Sequence, residues 1–379
     1  MNKLLSILGF ISVINGINYQ LIGMDDKETE LLLEHQQENF SYAKTLKGHN
    51  DCGIKDIVFD PKNSNKLFSL SSYALKIWDI KKSSCIKTFT LKENNFRAES
   101  LAIGSDGSRV AVGGINKVLL YDNNIKHKEV TLSDGYQFLD EHKVRGLAFV
   151  PENNDIVVTC FDGNLMFGRS SMNVITIMNI MNETKNIIQD TIGWLRDMTV
   201  SPYDKKTIII ASMENTNHHG LLSFYDIESS QKKATSFASS VYRIACNPKE
   251  EHTFATCAWQ SPYITLWDIR MLPKVIKHIE TDGYKCMENI GKDVTFLPDG
   301  KTIAVSSVNR TQLYDISSGK CIQKLPNVYS LFHALNCCSR QDTGQHTSNI
   351  SGTKASPDGN KLVTYSDDNT IKIWQKDND

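Results

Sequence analysis

From about residue 48 onward the chain settles into short apolar runs bounded by glycine, proline, asparagine, aspartate and serine. Ile54–Phe59, Lys66–Leu70, Leu75–Ile80, Ile208–Ala211, Leu221–Tyr225, Ile264–Trp267 and Thr302–Val305 are examples. These runs are short, rich in β-branched and aromatic residues and flanked by turn formers, which predicts strands rather than helices. One helical signal stands apart from them. Asp25 and Asp26 can cap a short helix running through Glu30, Leu31–Leu33 and Gln37, inside a connector over residues 17–40.

The strand pattern repeats. Turns recur at Asp60-Pro61, Ser105-Asp106-Gly107, Val150-Pro151, Ser201-Pro202, Asn247-Pro248, Leu297-Pro298-Asp299-Gly300 and Ser356-Pro357-Asp358-Gly359. Proline suits a turn because its φ is fixed and its missing N–H breaks no ladder there. Each turn is followed by a strand ending in an aromatic-polar pair: Trp78-Asp79, Tyr121-Asp122, Tyr225-Asp226, Trp267-Asp268 and Tyr314-Asp315, with Met178-Asn179 and Trp374-Gln375 as degraded copies. The units span about 47 residues each, against roughly 40–45 for four strands with tight turns, and a repeat of that length predicts a propeller or a solenoid. The surplus falls in the long connections Ser133–His142, Asp162–Asn173, Glu214–Gly220, Thr281–Gly291 and Pro326–His346.

Composition narrows the function without naming it. The chain has 379 residues, 40% apolar and 22% charged, with a net charge of −1, so no global field demands a nucleic acid or a membrane. Nine scattered cysteines without a CxxC pair are not a disulfide framework and read as buried thiols. The amino terminus points the other way about compartment. Lys3 precedes the apolar stretch Leu4–Ile14 and the small residue Gly16, which predicts a secretory signal peptide over residues 1–16 and export, to the periplasm or the outside, if it is cleaved. Uncleaved, the protein would be cytoplasmic. The apolar stretch is too short to span a bilayer.

Three stretches carry a resemblance to a known family: Gly48-His49 leading to Trp78-Asp79, Val241 to Asp268, and His346 to Trp374. They resemble the WD-repeat (tryptophan-aspartate) β-propellers, and the likeness covers nearly everything after residue 41. It implies an all-β, seven-bladed ring over residues 41–379, each blade having four antiparallel strands, a to d. It also implies a buried staple in which the strand c Trp is tied to a His through a Ser or Thr and an Asp. His346, Ser366, Asp368 and Trp374 match that staple in the last blade; His49, Ser71 and Trp78 match it in the first, without the Asp. Counting strands then leaves the last blade one short, and Tyr42–Leu46 is expected to pair with Ile371–Trp374 and close the ring from the other chain end.

Walker, HExxH, GxSxG and dinucleotide motifs are lacking from the sequence. His218-His219 and Cys337-Cys338 with His346 make a poor zinc set, so neither catalysis, metal nor cofactor is expected. The resemblance implies docking of partners on two positions per blade, about eight and six residues before the turn proline. Those positions are Gly53 and Lys55, Arg97 and Glu99, Lys143 and Arg145, Trp194 and Arg196, Ser240 and Tyr242, Ile290 and Lys292, and Asn349 and Ser351. Trp259 falls in the same sector. Lys55, Arg97, Lys143, Arg145, Arg196 and Lys292 are basic against the single acid Glu99, and Trp194, Tyr242 and Trp259 add aromatic anchors. The reading is a monomeric, non-catalytic scaffold for an acidic peptide or protein. The alternatives are an exported propeller enzyme with chemistry at the channel mouth, or a polyanion bound on the basic rim.

Overall fold

A computed structural model of the chain describes residues 39–51, 53–92, 96–122, 125–131, 143–163, 172–190, 193–213, 220–238, 240–258, 261–271, 274–281, 291–325 and 344–377. The expected leader, nearly all of the expected connector and most of each long connection lie outside the described residues. The described chain is all-β and forms seven four-stranded antiparallel sheets.

Blade one comprises Ile54–Asp60, Asn63–Ser71, Ala74–Asp79 and Ser84–Thr90, and blade two Ala98–Ile103, Arg109–Gly114, Lys117–Asp122 and Ile125–Thr131. Blade three comprises Lys143–Val150, Asn153–Gly163, Met172–Asn179 and Lys185–Asp190, and blade four Trp194–Val200, Thr207–Met213, Gly220–Asp226 and Lys232–Ala238. Blade five comprises Val241–Cys246, Thr253–Ala258, Tyr263–Asp268 and Lys274–Glu280, and blade six Asp293–Phe296, Thr302–Ser306, Thr311–Asp315 and Cys321–Lys324. Blade seven takes strands a to c from Ile350–Ala355, Lys361–Ser366 and Thr370–Lys376, and its fourth from Phe40–Lys47. That closing strand starts at Phe40, just inside the expected connector, and sets Tyr42 opposite Trp374 and Leu46 opposite Ile371.

The a-strands touch one another in cyclic order, with that of blade seven against that of blade one. Burial falls from the inside outward. Strand b of blade four is buried throughout, whereas strand d of blade one is exposed at nearly every residue. Such an edge invites pairing by another chain, and the lysines on the outer strands blunt it. Lys44 reaches from the closing strand to the carbonyl of Ile80 in blade one at 3.0 Å, and Lys277 from blade five to that of Ser317 in blade six at 2.6 Å.

The apolar core has no single centre. It divides into seven clusters, each filling one seam between two neighbouring blades. The a–b turns sit at the rim of these seams. In blade six Asp299 accepts the N–H of Lys301 and Thr302, a side-chain turn of the kind that favours aspartate. Gly300 follows it at φ 70°, and a Cβ there would lie 2.6 Å from the Asn247 carbonyl oxygen of blade five. The same Asn247 donates to the Gly300 carbonyl at 2.9 Å, so glycine here serves both the backbone and the seam.

Candidate functional site

Two sets of side chains matter for function, one that holds blades rigid and one that faces outward. In blade seven His346 Nδ1 lies 3.0 Å from Asp368 and its Nε2 lies 2.9 Å from the Thr364 hydroxyl, which also accepts the Trp374 indole N–H at 3.1 Å. The bridging hydroxyl is therefore Thr364 and not the expected Ser366, which donates instead to the Ser348 carbonyl. Blade one shows the same displacement. Ser69 joins His49 to Trp78, both at 2.7 Å, while Ser71 donates to Asp51. The reason is strand register. Trp78 and Trp374 pair with Leu67 and Leu362, and an indole reaches diagonally to the residue two further along the partner strand. Blade five has the same diagonal, Trp267 to Thr256 at 2.9 Å, which counting along the sequence had missed.

The electrostatics of the two staples differ. Burial pushes the Asp368 carboxyl up, but hydrogen bonds from His346, Thr370 and the Thr347 N–H outweigh it and hold it well below the usual carboxylate range. The carboxylate paired with His49, Asp51, lies farther off at 3.9 Å, and burial lowers the imidazole to about 4. These groups are buried and mutually bonded, which suits a structural role.

The outward set is built by a recurrent irregularity. In six of the seven a-strands the register with strand b breaks by one residue. The extra residue is Lys55, Glu99, Arg145, Arg196, Tyr242 or Ser351, in blades one to five and seven. Each is the second docking position expected from the resemblance. A β-bulge of this kind leaves its residue outside the ladder and re-aims the side chain. Blade six has no break; Lys292 precedes the strand and donates its N–H to the Ser306 carbonyl at 2.7 Å. A signal for the bulges exists in the sequence. Buried positions flank each one at a spacing of three instead of two: Ile54 and Ile57, Ala98 and Leu101, Val144 and Leu147, Leu195 and Met198, Val241 and Ile244, Ile350 and Thr353.

The structure brings some of the expected docking residues together. The Arg196 guanidinium lies 5.6 Å from the centre of the Tyr242 ring on the next blade, within the range of a cation–π contact. Trp194, two residues before Arg196, is 42% exposed. Lys143 approaches Glu99 of the preceding blade at 4.0 Å. Lys55, Arg97 and Lys292 sit on separate blades; Ile290 and Trp259 lie outside the described residues. Asp56, Asp197 and Arg243 directly follow their bulges, and with Asp293 and Lys354 of blades six and seven they form a second charged layer. Among the described residues no three His, Cys, Asp or Glu are grouped to hold a metal, and no helix is long and apolar enough to cross a membrane.

Comparison with known proteins meets this geometry. The family model described as "WD domain, G-beta repeat" matches residues 336–375, the stretch that contains the His346–Thr364–Trp374 staple. Over 333 residues, 78% of the chain, it is 21% identical to "Transcriptional corepressor LEUNIG_HOMOLOG" of Arabidopsis thaliana, and covers 39% of that protein. Over 62 residues, 16% of the chain, it is 32% identical to "Nuclear distribution protein PAC1" of Candida tropicalis, and covers 12% of that protein. The chain thus spans well under two thirds of the length of either relative. With seven four-stranded blades, a closing strand from the other chain end and the repeated indole staple, the chain is a WD-repeat β-propeller.

Proposed function

We propose that the ring is a non-catalytic scaffold that docks an acidic peptide or protein on the face carrying the bulged ends of the a-strands. The observation that carries this reading is the bulge itself. Blade after blade, one residue is freed from the ladder and aimed outward, and those residues with the neighbouring docking positions are mainly basic or aromatic in a nearly neutral protein. Arg, Tyr and Trp are the side chains that most often anchor interfaces. The relatives support a role in protein assemblies, since one is titled a corepressor and the other a nuclear distribution protein. Trp194, Arg196 and Tyr242 form the anchor, flanked by Arg145 and Lys143. The test is affinity capture with wild type and the double variant Trp194→Ala, Arg196→Ala, with both melting curves measured. Loss of the captured protein at unchanged melting temperature supports the reading, and undiminished capture overturns it.

A second reading, a polyanion on the same rim, is favoured by the basic excess, and salt separates the two. Counterion release makes polyanion binding fall steeply with salt, whereas an aromatic-anchored peptide responds weakly. Export is proposed with cleavage of residues 1–16, and sequencing the mature amino terminus decides it.

A further inference from the structure

One charged a-strand residue from each of five consecutive blades, standing directly after the bulge in blades one, four and five, alternates in charge around one arc of the ring. Asp197 of blade four is followed by Arg243 of blade five, Asp293 of blade six, Lys354 of blade seven and Asp56 of blade one. Three carboxylates face two cations, so the arc carries one negative charge too many. The surplus can be located. Asp293 is well matched: Lys354 Nζ lies 2.9 and 3.1 Å from its oxygens, and the Val294 and Thr353 N–H groups donate to it at 3.0 and 3.1 Å. Asp197 has Arg243 at 3.4 Å and the Ile244 N–H at 2.7 Å. Asp56 accepts only backbone N–H groups, from Ile57 at 2.9 Å and from Leu101 of blade two at 3.2 Å. Among the described residues no cation lies within ion-pairing distance of it.

Asp56 is half-buried; an ionised carboxylate largely withdrawn from water without a cation is costly, and the usual escape is to take up a proton. We propose that the arc holds one exchangeable proton, on Asp56, and that its loss as pH rises leaves the ring carrying a destabilising surplus charge. The surroundings agree. Burial pushes the Asp56 and Asp197 carboxyls up, and the opposing pull of Lys354 and Arg243 does not fully offset it. The other ionisable groups near the arc do not supply the missing charge. The Tyr365 hydroxyl is turned to Asp293 at 3.5 Å, and the Cys246 and Cys257 thiols are raised by burial. On the neighbouring blades Lys143 is drawn to Glu99 and Arg196 lies over the Tyr242 ring.

The sign follows from linkage. A carboxyl that binds its proton more tightly in the native state than in the unfolded chain costs stability as pH rises through its native range. Asp56→Asn removes the surplus charge and keeps an oxygen for the Leu101 N–H. It should melt above wild type at pH 7.5, by about 1–3 °C, and the gap should narrow as the buffer is acidified and wild type takes up its own proton. His49 titrates in both proteins and cancels in the difference. Asp293→Asn is the contrast: the same chemical change at a matched carboxylate should lower the melting temperature at pH 7.5, because it leaves Lys354 without its partner. Overturning results are an Asp56→Asn protein that melts lower than wild type or fails to fold, a gap that does not change with pH, or stabilisation by both substitutions alike. None of these outcomes depends on what docks above the arc, so the test stands apart from the capture experiment.

Discussion

The closing strand is held by two side chains that enter different seams, and a single residue makes this possible. Phe40 packs with Leu297, Leu313, Leu362 and Trp374 in the seam between blades six and seven. Leu46 packs with Ile57, Trp78, Ile371 and Ile373 in the seam between blades seven and one. The two are six positions apart, and in a regular strand an even spacing would put both on the same face. The register break between Tyr42 and Lys44 makes Ala43 the extra residue, and the strand changes face there. Tyr42 accordingly lies edge-on to Trp374, while Lys44 turns the other way to the Ile80 carbonyl.

The first perturbation is Leu46→Ala. With Leu46 only 1% exposed, it should cost about 2–5 kcal/mol, the range for truncating a fully buried leucine. The second is deletion of Ala43. It restores strict alternation, so the residues before and after it can no longer both keep their seams. Either Leu46 or Phe40 must leave the core, and the cost should equal or exceed that of Leu46→Ala. Urea denaturation followed by circular dichroism measures both, and amide exchange should quicken first at 370–376, the residues paired with the closing strand. Removing residues 1–47 exposes the edge of Thr370–Lys376 and should give an aggregating protein. Deletion of Ala43 at a cost below about 0.5 kcal/mol, the scatter of harmless surface changes, would refute the face-switching role of the bulge. A soluble monomeric truncation with unchanged melting temperature would refute the closure.

Three further outcomes are expected. Thr364→Val removes the hydroxyl that joins the His346 imidazole to the Trp374 indole and should cost about 1–3 kcal/mol in urea denaturation, whereas Ser366→Ala should cost less, since Ser366 stands outside the staple. His49 is neutral when folded and resists protonation down to about 4, while in the unfolded chain it takes a proton near 6.5. Its presence therefore lowers stability as pH falls from about 6.5 to about 4, by roughly 3 kcal/mol in all; a His49→Gln protein whose acid sensitivity equals that of wild type would contradict this. In the docking set, Arg196→Gln should weaken partner capture more than Lys55→Gln, because only Arg196 is stacked on an aromatic ring of the next blade; equal losses in a titrated pull-down would speak against the blade-four anchor.

The number of blades, the closure and its register were legible because each follows from a count. Seven turns with seven strand ends give the ring, and a strand left over at Tyr42–Leu46 has one vacant edge to pair with. The staple was legible only in part. The hydroxyl stands nine residues before Trp78 but ten before Trp374 and eleven before Trp267, as the intervening b–c turn lengthens. The expected hydroxyls, Ser71 and Ser366, each stand two residues beyond the one that bridges, because the constant quantity is the diagonal across a strand pair, which exists only once register is known. The charged arc was not legible at all. Asp56, Asp197 and Asp293 stand in separate repeats, and nothing along the chain says that a ring will bring them within reach of Arg243 and Lys354.

The bulges explain why the charge on the docking face is informative. A residue inside a regular strand answers to its seam or to the channel, and its type is limited by what it touches. The bulge residue is surplus to the ladder, so the fold places little demand on its chemistry. The family of bulge residues here includes Lys, Glu, Arg, Tyr and Ser, which no common packing role would accept. A choice that folding leaves open has to be made by something else, and the surface it faces is the solvent side of the ring. Basic and aromatic residues gathered there, on a chain of net charge −1, therefore bear on the proposed partner rather than on the propeller. The next layer down obeys the opposite rule. Asp56, Asp197 and Asp293 each accept an N–H from the following blade, so their identity is fixed by the seams. One residue's difference in position separates the part of the strand that must build the ring from the part that is free to address whatever the ring holds.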